Sequence, residues 1–348
     1  MFKLYLKFFL FSMVSIYKNE NNSIKINKGL YKDELFSFLL NCDINELDCL
    51  SCFDNSLTKE NLQEKLNLLI KDENIQIYFL QNDKEIIGLY FLNNLLNSTE
   101  KYISFIIKKD SRNKGYGKLG LFLLIQELSK NYPNISNYFS KIKKDNIYAH
   151  LIILGNNAEI HNETDTEITY KISQGNNIWI HRIESDDMQR IMKITNDAKC
   201  LLKQNGSLQW QQGYPNEETF ISDINNKSLY GIYENNNLMA YGAYILGKDI
   251  NYVEIDGKWD VPANEKDLAI HRVAVDSNCH GKKYGVKILK YGIIYAKKLR
   301  CISVKVDTHK NNIPMQKCIN NSGFVYKGVV KIIRDKLDNL RNAYEIVL

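Results

Sequence analysis

The sequence contains little proline, and its longest apolar run is too short to cross a membrane. Only four of the 348 residues are proline, which we interpret as compositional bias without functional meaning. Residues 1–16 are rich in Phe and Leu, but the run is interrupted and falls short of the about 20 apolar residues that a spanning helix needs. No small-x-small cleavage site follows it, which disfavours a secretory signal. We expect a cytoplasmic protein without membrane association.

The cysteines lack a metal-binding pattern. Cys49 and Cys52 form a single CxxC pair, without the second pair that a four-ligand zinc site needs. The seven cysteines are odd in number and irregularly spaced. We therefore expect free thiols in a reducing compartment, and no metal.

Neither acidic nor basic residues form a dense cluster in the chain. The formal net charge is +6, and this excess lies in residues 175–348, which favours an anionic ligand. The basic residues do not cluster, and no repeated aromatic–basic platform is present. We therefore expect no nucleic-acid partner.

A short glycine-basic loop occurs twice, about 168 positions apart, as Arg112–Lys118 and His280–Val286. Each copy follows an apolar, strand-like run and precedes a helix-like run. A strand that turns through glycines into a helix presents free backbone N–H groups, which suit a phosphate or pyrophosphate. The repetition in matched contexts indicates a duplicated domain.

Helical and strand-like segments interleave in the same order in both halves, which predicts an α/β fold. A polar hinge at residues 173–177 separates the halves. We predict an N-terminal extension at residues 1–22, a first domain at 23–173 and a second at 178–348. In the second half, Ile302, Val304 and Val306 alternate with polar residues, which predicts a strand buried on one face.

Both halves resemble GNAT domains, the superfamily of acetyl-CoA-dependent N-acetyltransferases. The family signature Gln/Arg-x-x-Gly-x-Gly/Ala is matched by Arg112, Gly115 and Gly117. The second copy keeps Gly285 but has His280 and Lys283 at the other two positions. The resemblance implies two consecutive GNAT domains, each a mixed central sheet flanked by helices.

Further motifs support the resemblance. The family's Asn-containing element is matched by Asn146 in the first half and Asn312 in the second, where Gly323-Phe324 follows. The stretches 209–215, 270–275 and 307–309 look like a bacterial GNAT subgroup that acts on small molecules or is uncharacterised.

The resemblance implies acetyl-CoA as the co-substrate, with its pyrophosphate on the loop N–H groups. The strand before each loop is expected to splay from its neighbour, so that an N–H of Val273 or Val275 reaches the thioester carbonyl. Lys283 at a glycine position either leans outward and adds charge or narrows the site. The candidate cofactor residues are Ile107, Arg112, Asn113, Lys114, Gly115, Tyr116, Gly117 and Lys118 in the first half, and Val273, Val275, Gly281, Lys282, Lys283, Tyr284, Gly285, Val286 and Asn312 in the second.

The acceptor amine is mostly protonated at neutral pH, so a general base is useful. His271 is the first candidate because an imidazole titrates near neutrality; a structural role is its alternative. Glu254, acting through water, is the second. The stretch 307–309 lies where a site could be, and its alternative is a strand-end turn with a helix N-cap.

The family's usual general acid, a Tyr seven residues after the Asn, is missing. Ile153 and Ile319 occupy that position. Tyr326 or water would have to protonate the leaving thiolate instead.

These observations predict acetyl transfer from acetyl-CoA to a primary amine of a small molecule, by direct attack in a ternary complex. We expect catalysis in the second half and structural CoA binding in the first. The alternatives are a non-catalytic acyl-CoA-binding or scaffold protein and a protein N-terminal or lysine acetyltransferase. The sequence identifies neither the acceptor nor the oligomeric state.

Overall fold

The computed structural model describes residues 24–29, 32–47, 50, 57–58, 60–83, 85–94, 96, 100–279 and 281–348. The predicted N-terminal extension and the Cys49–Cys52 pair therefore lie outside the described residues. The chain divides into two compact units, and the division falls between Asn177 and Ile178. No helix in the described part of the chain is long and apolar enough to span a bilayer.

The described residues of the first unit form a seven-stranded sheet with helices on both faces. Its helices are α1 (Lys32–Leu40), α2 (Ile44–Leu47), α3 (Leu62–Lys71), α4 (Tyr116–Asn131) and α5 (Ile147–Leu154). Its strands are β1 (Ile24–Lys28), β2 (Gln76–Asn82), β3 (Glu85–Asn93), β4 (Lys101–Ile107), β5 (Asn137–Lys143), β6 (Glu159–Glu163) and β7 (Glu167–Ser173).

The central strands of this sheet are buried on both faces. Successive side chains of a strand point to opposite faces, so Tyr90 and Phe91 on β3 enter different cores. Tyr90 packs in the cluster that contains Leu124 of α4. Phe91 packs in the cluster that contains Leu35 of α1 and Leu66 of α3. Helices α1 and α3, which precede β2, therefore cover one face of the sheet, and helix α4, which follows β4, covers the other.

The described residues of the second unit form an eight-stranded sheet. Its helices are α6 (Met188–Gln204), α7 (Glu217–Asn225), α8 (Tyr284–Lys298) and α9 (Ile313–Asn321). Its strands are β8 (Ile178–Arg182), β9 (Leu229–Glu234), β10 (Asn237–Leu246), β11 (Asp256–Gly257), β12 (Asp267–Val275), β13 (Ser303–Thr308), β14 (Val325–Lys331) and β15 (Leu340–Val347).

The two sheets have the same strand order. The first runs β1-β2-β3-β4-β5-β7-β6 and the second runs β8-β9-β10-β12-β13-β15-β14, with the two-residue β11 added at its edge. In each sheet one neighbouring pair is parallel, β4 with β5 and β12 with β13, and the other pairs in the described chain are antiparallel. The glycine-basic loops follow β4 and β12 and lead into α4 and α8.

The prediction that β13 is buried on one face is wrong. The side chain of Lys305 is completely buried, although the sequence pattern places it on the solvent face. Its ammonium lies 2.7 Å from the carboxylate of Asp267 and 3.2 Å from that of Glu345. Because these partners neutralise the charge, a lysine is accommodated in a strand covered on both faces.

Candidate active site

The parallel strands β12 and β13 separate part-way along their length. Their pairing runs from Asp267 opposite Ser303 to Ile270 opposite Val306, and then stops. β12 continues to Val275 and β13 to Thr308 without pairing to each other. The two strands therefore splay and leave a gap, as the resemblance implies for the strand before the loop.

A bulge in β12 lies at the start of this gap. The register against β10 shifts between the pairs Tyr241–Ala274 and Ala243–His271. Arg272, inside the bulge, has a positive φ of 53°. A bulge re-aims the neighbouring side chains, and here His271 and Arg272 both line the same cavity.

The edge of β12 that faces the gap carries backbone donors without a strand partner. The N–H of Asp276 donates to the carbonyl of Met239 on β10, at 2.7 Å. Because donors of successive residues in a strand point to opposite edges, the Val275 N–H faces the gap.

The gap forms part of a cavity of about 850 Å³ within the second unit. Nine of the predicted site residues line it: His271, Val273, Val275, Gly281, Lys283, Tyr284, Gly285, Val286 and Asn312. Lys282 and Glu254 are not part of the lining. The Lys282 ammonium pairs with Glu234 at 2.7 Å, and Glu254 is exposed.

The loop before α8 has the backbone geometry of an anion site. Gly281 and Lys283 have positive φ values of 84° and 59°. Lys283 is the N-cap of α8 and makes no side-chain capping bond. The first N–H groups of the helix therefore lack an intrahelical acceptor and suit a phosphate. His280 lies outside the described residues.

Two further residues complete the walls of this end of the cavity. A β-carbon on Gly285 would lie 2.9 Å from the sulfur of Cys318, so glycine is required for the close approach of α8 to α9. Asn312 is the N-cap of α9 and accepts a hydrogen bond from the N–H of Met315 at 3.3 Å.

His271 lies between two carboxylates. Its Nε2 is 2.7 Å from Oδ2 of Asp249, and its Nδ1 is 3.8 Å from Oδ1 of Asp307. Tyr252 donates its hydroxyl hydrogen to Asp307 at 2.7 Å. Burial raises the pKa of Asp249, but hydrogen bonds and charge from His271 outweigh it and bring that pKa to about 2. The imidazole is thus oriented by an ionised carboxylate, an arrangement typical of a positioned base.

Arg272 is fixed by a second network beside this one. It donates to both oxygens of Asp223, at 2.7 and 2.8 Å, and to the hydroxyl oxygen of Tyr214 at 2.7 Å. Tyr214 belongs to the aromatic loop 209–215, and four residues of this loop line the cavity. The guanidinium therefore connects this loop to the strand that carries His271.

The candidates for the general acid and the stretch 307–309 contribute little to the cavity beyond Asp307 and Thr308. Ile319, at the position of the expected Tyr, is completely buried, and Tyr326 is 51% exposed and outside the cavity lining. His309 pairs with Asp338 at 3.1 Å. Burial lowers the pKa of His309, although Asp338 opposes the shift. Of the stretch 307–309, Asp307 and Thr308 line the cavity.

Sequence reasoning missed Asp249, Tyr252 and Asp223. Asp249 precedes His271 by 22 positions and lies in the segment after β10, so their contact depends on the tertiary fold. The local Asp-x-Asn pattern is a signal only for a turn, in which Asp249 accepts from the N–H of Asn251 at 2.8 Å.

The first-unit loop has a similar backbone but different side-chain contacts. Asn113 and Gly115 have positive φ values of 62° and 84°. The Arg112 guanidinium donates to both oxygens of Glu46, at 2.6 and 2.8 Å, and to the Ile107 carbonyl at 2.9 Å. These bonds with Arg112 lower the pKa of Glu46.

The helix that follows the first-unit gap contacts a bulkier side chain than its counterpart in the second unit. Strands β4 and β5 pair only at Lys101–Tyr138 and Tyr102–Phe139, so this pair also splays. A β-carbon on Gly117 would lie 2.5 Å from Cδ1 of Ile152. Ile152 thus contacts α4 at the position where Cys318 contacts α8.

The other predicted residues of the first-unit loop lie nearby. Lys114 is exposed, Tyr116 is half-buried, and the carbonyl of Lys118 accepts from Asn156 at 3.1 Å.

Comparison with known proteins decides the family. Residues 195–324 match the model of the Acetyltransferase (GNAT) family. A GNAT-family acetyltransferase of known structure from Streptococcus agalactiae is 30% identical to the chain, over 49% of this chain and 95% of that one, with a TM-score of 0.44. The chain belongs to the GNAT acetyltransferase family. Membership supports acyl transfer and a transferase class, and the predicted family and fold class are confirmed.

Other GNAT structures are more distant. A spermidine N-acetyltransferase from Vibrio cholerae, in complex with CoA and spermine, is 16% identical over 44% of this chain and 96% of that one, with a TM-score of 0.37. A putative acetyltransferase from Salmonella typhimurium, solved with acetyl-CoA, is 15% identical over 50% of this chain and 95% of that one, with a TM-score of 0.38. No curated protein matches the chain.

Proposed function

We propose that the second unit transfers the acetyl group of acetyl-CoA to a primary amine of a small molecule. The observation that carries the proposal is one cavity that joins three features: the splayed edge of β12, the uncapped N-terminus of α8 and the paired imidazole of His271. Family membership and CoA-bound GNAT structures support acetyl-CoA as the co-substrate.

The chemistry of the cavity supports an orientation for acetyl-CoA. The pyrophosphate would lie on the N–H groups of the loop and the first turn of α8, where the helix dipole and Lys283 favour negative charge. The pantetheine arm would lie along the unpaired edge of β12. The thioester would then sit at the His271 end of that edge, near the Val273 N–H, with the acceptor entering from the side of the 209–215 loop.

The transfer needs one base and one oxyanion donor. His271 takes a proton from the ammonium, and the freed amine nitrogen forms a bond to the acetyl carbon. The Val273 N–H donates to the oxygen that becomes negative. The C–S bond then breaks, and the second proton of the nitrogen passes through water to the leaving CoA thiolate. His271 finally releases its proton to solvent.

Two steps in sequence test the proposal. Calorimetric titration of the intact chain with acetyl-CoA measures binding, and mass spectrometry then detects acetylated products from a panel of small amines and peptides. Binding together with acetylation of a small amine is the expected result. Binding without any acetylated product would identify a non-catalytic acyl-CoA-binding protein, and products from peptides alone would identify a protein acetyltransferase.

A further inference from the structure

Arg334 is an arginine at the mouth of the second-unit cavity whose charge has no counter-charge in the described structure. It is exposed and lines the cavity. It forms no ion pair with any described residue, whereas the other two lining arginines do: Arg272 pairs with Asp223, and Arg341 pairs with Asp335. Its guanidinium lies 3.8 Å above the ring of Tyr214.

The segment that carries Arg334 is hydrogen-bonded to the loop 209–215 and to the residue directly before it. Residues 332–339 connect β14 and β15. Asp335 accepts from the Gln212 side chain at 2.6 Å, and Asp338 accepts from the Leu208 N–H at 3.0 Å. On the other side, the Ile333 N–H donates to the Asn251 side chain at 2.9 Å. Arg334 is therefore presented to the cavity by an anchored hairpin.

Tyr214 connects Arg334 to the reacting end of the cavity. One face of its ring stacks under the Arg334 guanidinium, and its hydroxyl accepts from Arg272, the neighbour of His271. The stacking leaves the edge of the guanidinium free to donate two parallel hydrogen bonds, the geometry that matches a carboxylate.

The end of the cavity beside His271 has the opposite polarity. Asp249 and Asp307 flank the imidazole, and they favour an incoming ammonium. Next to them, the buried hydroxyl of Thr308 has no hydrogen-bond partner among the described atoms. An unpaired buried hydroxyl is unfavourable unless a bound polar group pairs with it. A ligand with an ammonium at one end and an anion at the other matches this distribution.

We propose that the acceptor is an amino acid, that is, a primary amine whose molecule also carries a carboxylate, and that Arg334 binds this carboxylate. The proposal rests on the proposed function and names its substrate class. The ammonium lies toward His271 and Asp307, and the carboxylate lies at the mouth. A polyamine fits less well, because its second ammonium would lie beside the uncompensated guanidinium.

The test compares matched acceptors in the intact chain. Free amino acids and their carboxamides, which share the side chain and the amine, are supplied with acetyl-CoA, and mass spectrometry quantifies the acetylated products. We expect kcat/KM to favour the acids. Arg334→Gln should lower the acid-to-amide ratio by roughly 10- to 100-fold, because a charge-assisted bond is lost. Arg334→Lys should lower the ratio less, since it keeps the charge but not the planar donor pair.

The ratio isolates Arg334, because the basicity of each amine is the same with both proteins. Lys331→Gln is the matched control, since Lys331 is exposed at the end of β14 and outside the cavity lining; it should keep the ratio. An unchanged ratio in Arg334→Gln, or a polyamine that outperforms every acid, overturns the substrate class and leaves the proposed function standing. Absence of acetylated product from every amine overturns both.

Discussion

Lys283 holds a backbone conformation that a glycine holds in the first unit. Both residues directly precede their helix, with φ of 59° for Lys283 and 84° for Gly115. A residue with a side chain in this left-handed region costs roughly 1–2 kcal/mol. The second loop therefore keeps the geometry of a glycine loop at some cost in stability, and it places a positive charge at the phosphate end of the cavity.

We predict that Lys283→Gly gives a more stable second unit than Lys283→Ala, by about 1 kcal/mol. Both variants lose the charge and the long side chain, so the difference reports the strain on the β-carbon. Urea unfolding of the intact chain followed by tryptophan fluorescence measures it, because the chain's three tryptophans, Trp179, Trp210 and Trp259, all lie in the second unit. An alanine variant as stable as the glycine variant would show that the conformation is not strained.

His271 is predicted to act in the chemical step. His271→Gln, which can still donate to Asp249, should lower kcat by about 10²- to 10⁴-fold and leave acetyl-CoA affinity nearly unchanged. Steady-state kinetics and calorimetry measure the two effects separately. His161→Gln is the control, because His161 is an exposed imidazole of the first unit. Equal turnover in the His271 variant and the control would exclude the imidazole as the base.

At the scale of elements, strands β12 and β13 form the gap of the candidate site. The sequence predicts some features of this pair and not others. The apolar run at 269–275 and the helix after it follow from local periodicity, and both are present. The burial of the Lys305 side chain was not predictable, because its partners Asp267 and Glu345 lie on other strands. A charged residue in a strand-like segment predicts a solvent-exposed side chain, unless residues distant in the sequence neutralise its charge.

The candidate site divides in the same way. The glycine loop and His271 stand out locally, since each depends on a residue type at one position. The partner of His271 and the role of Arg334 depend on how β10, β12 and the hairpin 332–339 meet in space. Contacts between residues on different strands produce no periodic pattern in a single sequence, so local sequence patterns do not predict them.

The lowered pKa of Asp249 predicts an acid-dependent contribution to stability. Its pKa falls from 3.8 to about 2 in the folded chain, so the contribution is fully present above about pH 4 and is lost as pH falls through 2. Asp249→Asn should therefore cost about 2 kcal/mol at neutral pH, and the difference from the natural chain should shrink between pH 4 and pH 2. Tryptophan-detected unfolding at several pH values measures it; a difference independent of pH would show that the fold does not favour the ionised form of Asp249.

At the scale of the whole chain, the two units have the same strand order but differ in the side chains around the place where acetyl-CoA would bind. In the second unit, Gly285 faces the thiol of Cys318 and a cavity opens beside it. In the first, Gly117 faces Ile152, and Arg112 is engaged by Glu46. The difference between the copies supports our proposal that catalysis takes place in the second unit, although the first keeps the fuller signature.

The most direct test of this account is acetyl transfer by Gly285→Val and Gly117→Val, measured side by side in the intact chain with the same amine. Each change places a similar side chain at the matching position of its loop. We predict that turnover is lost in Gly285→Val, with tryptophan-detected unfolding showing that the second unit is still folded, and that it is retained in Gly117→Val. Retained turnover in Gly285→Val, or a loss confined to Gly117→Val, would contradict catalysis in the second unit.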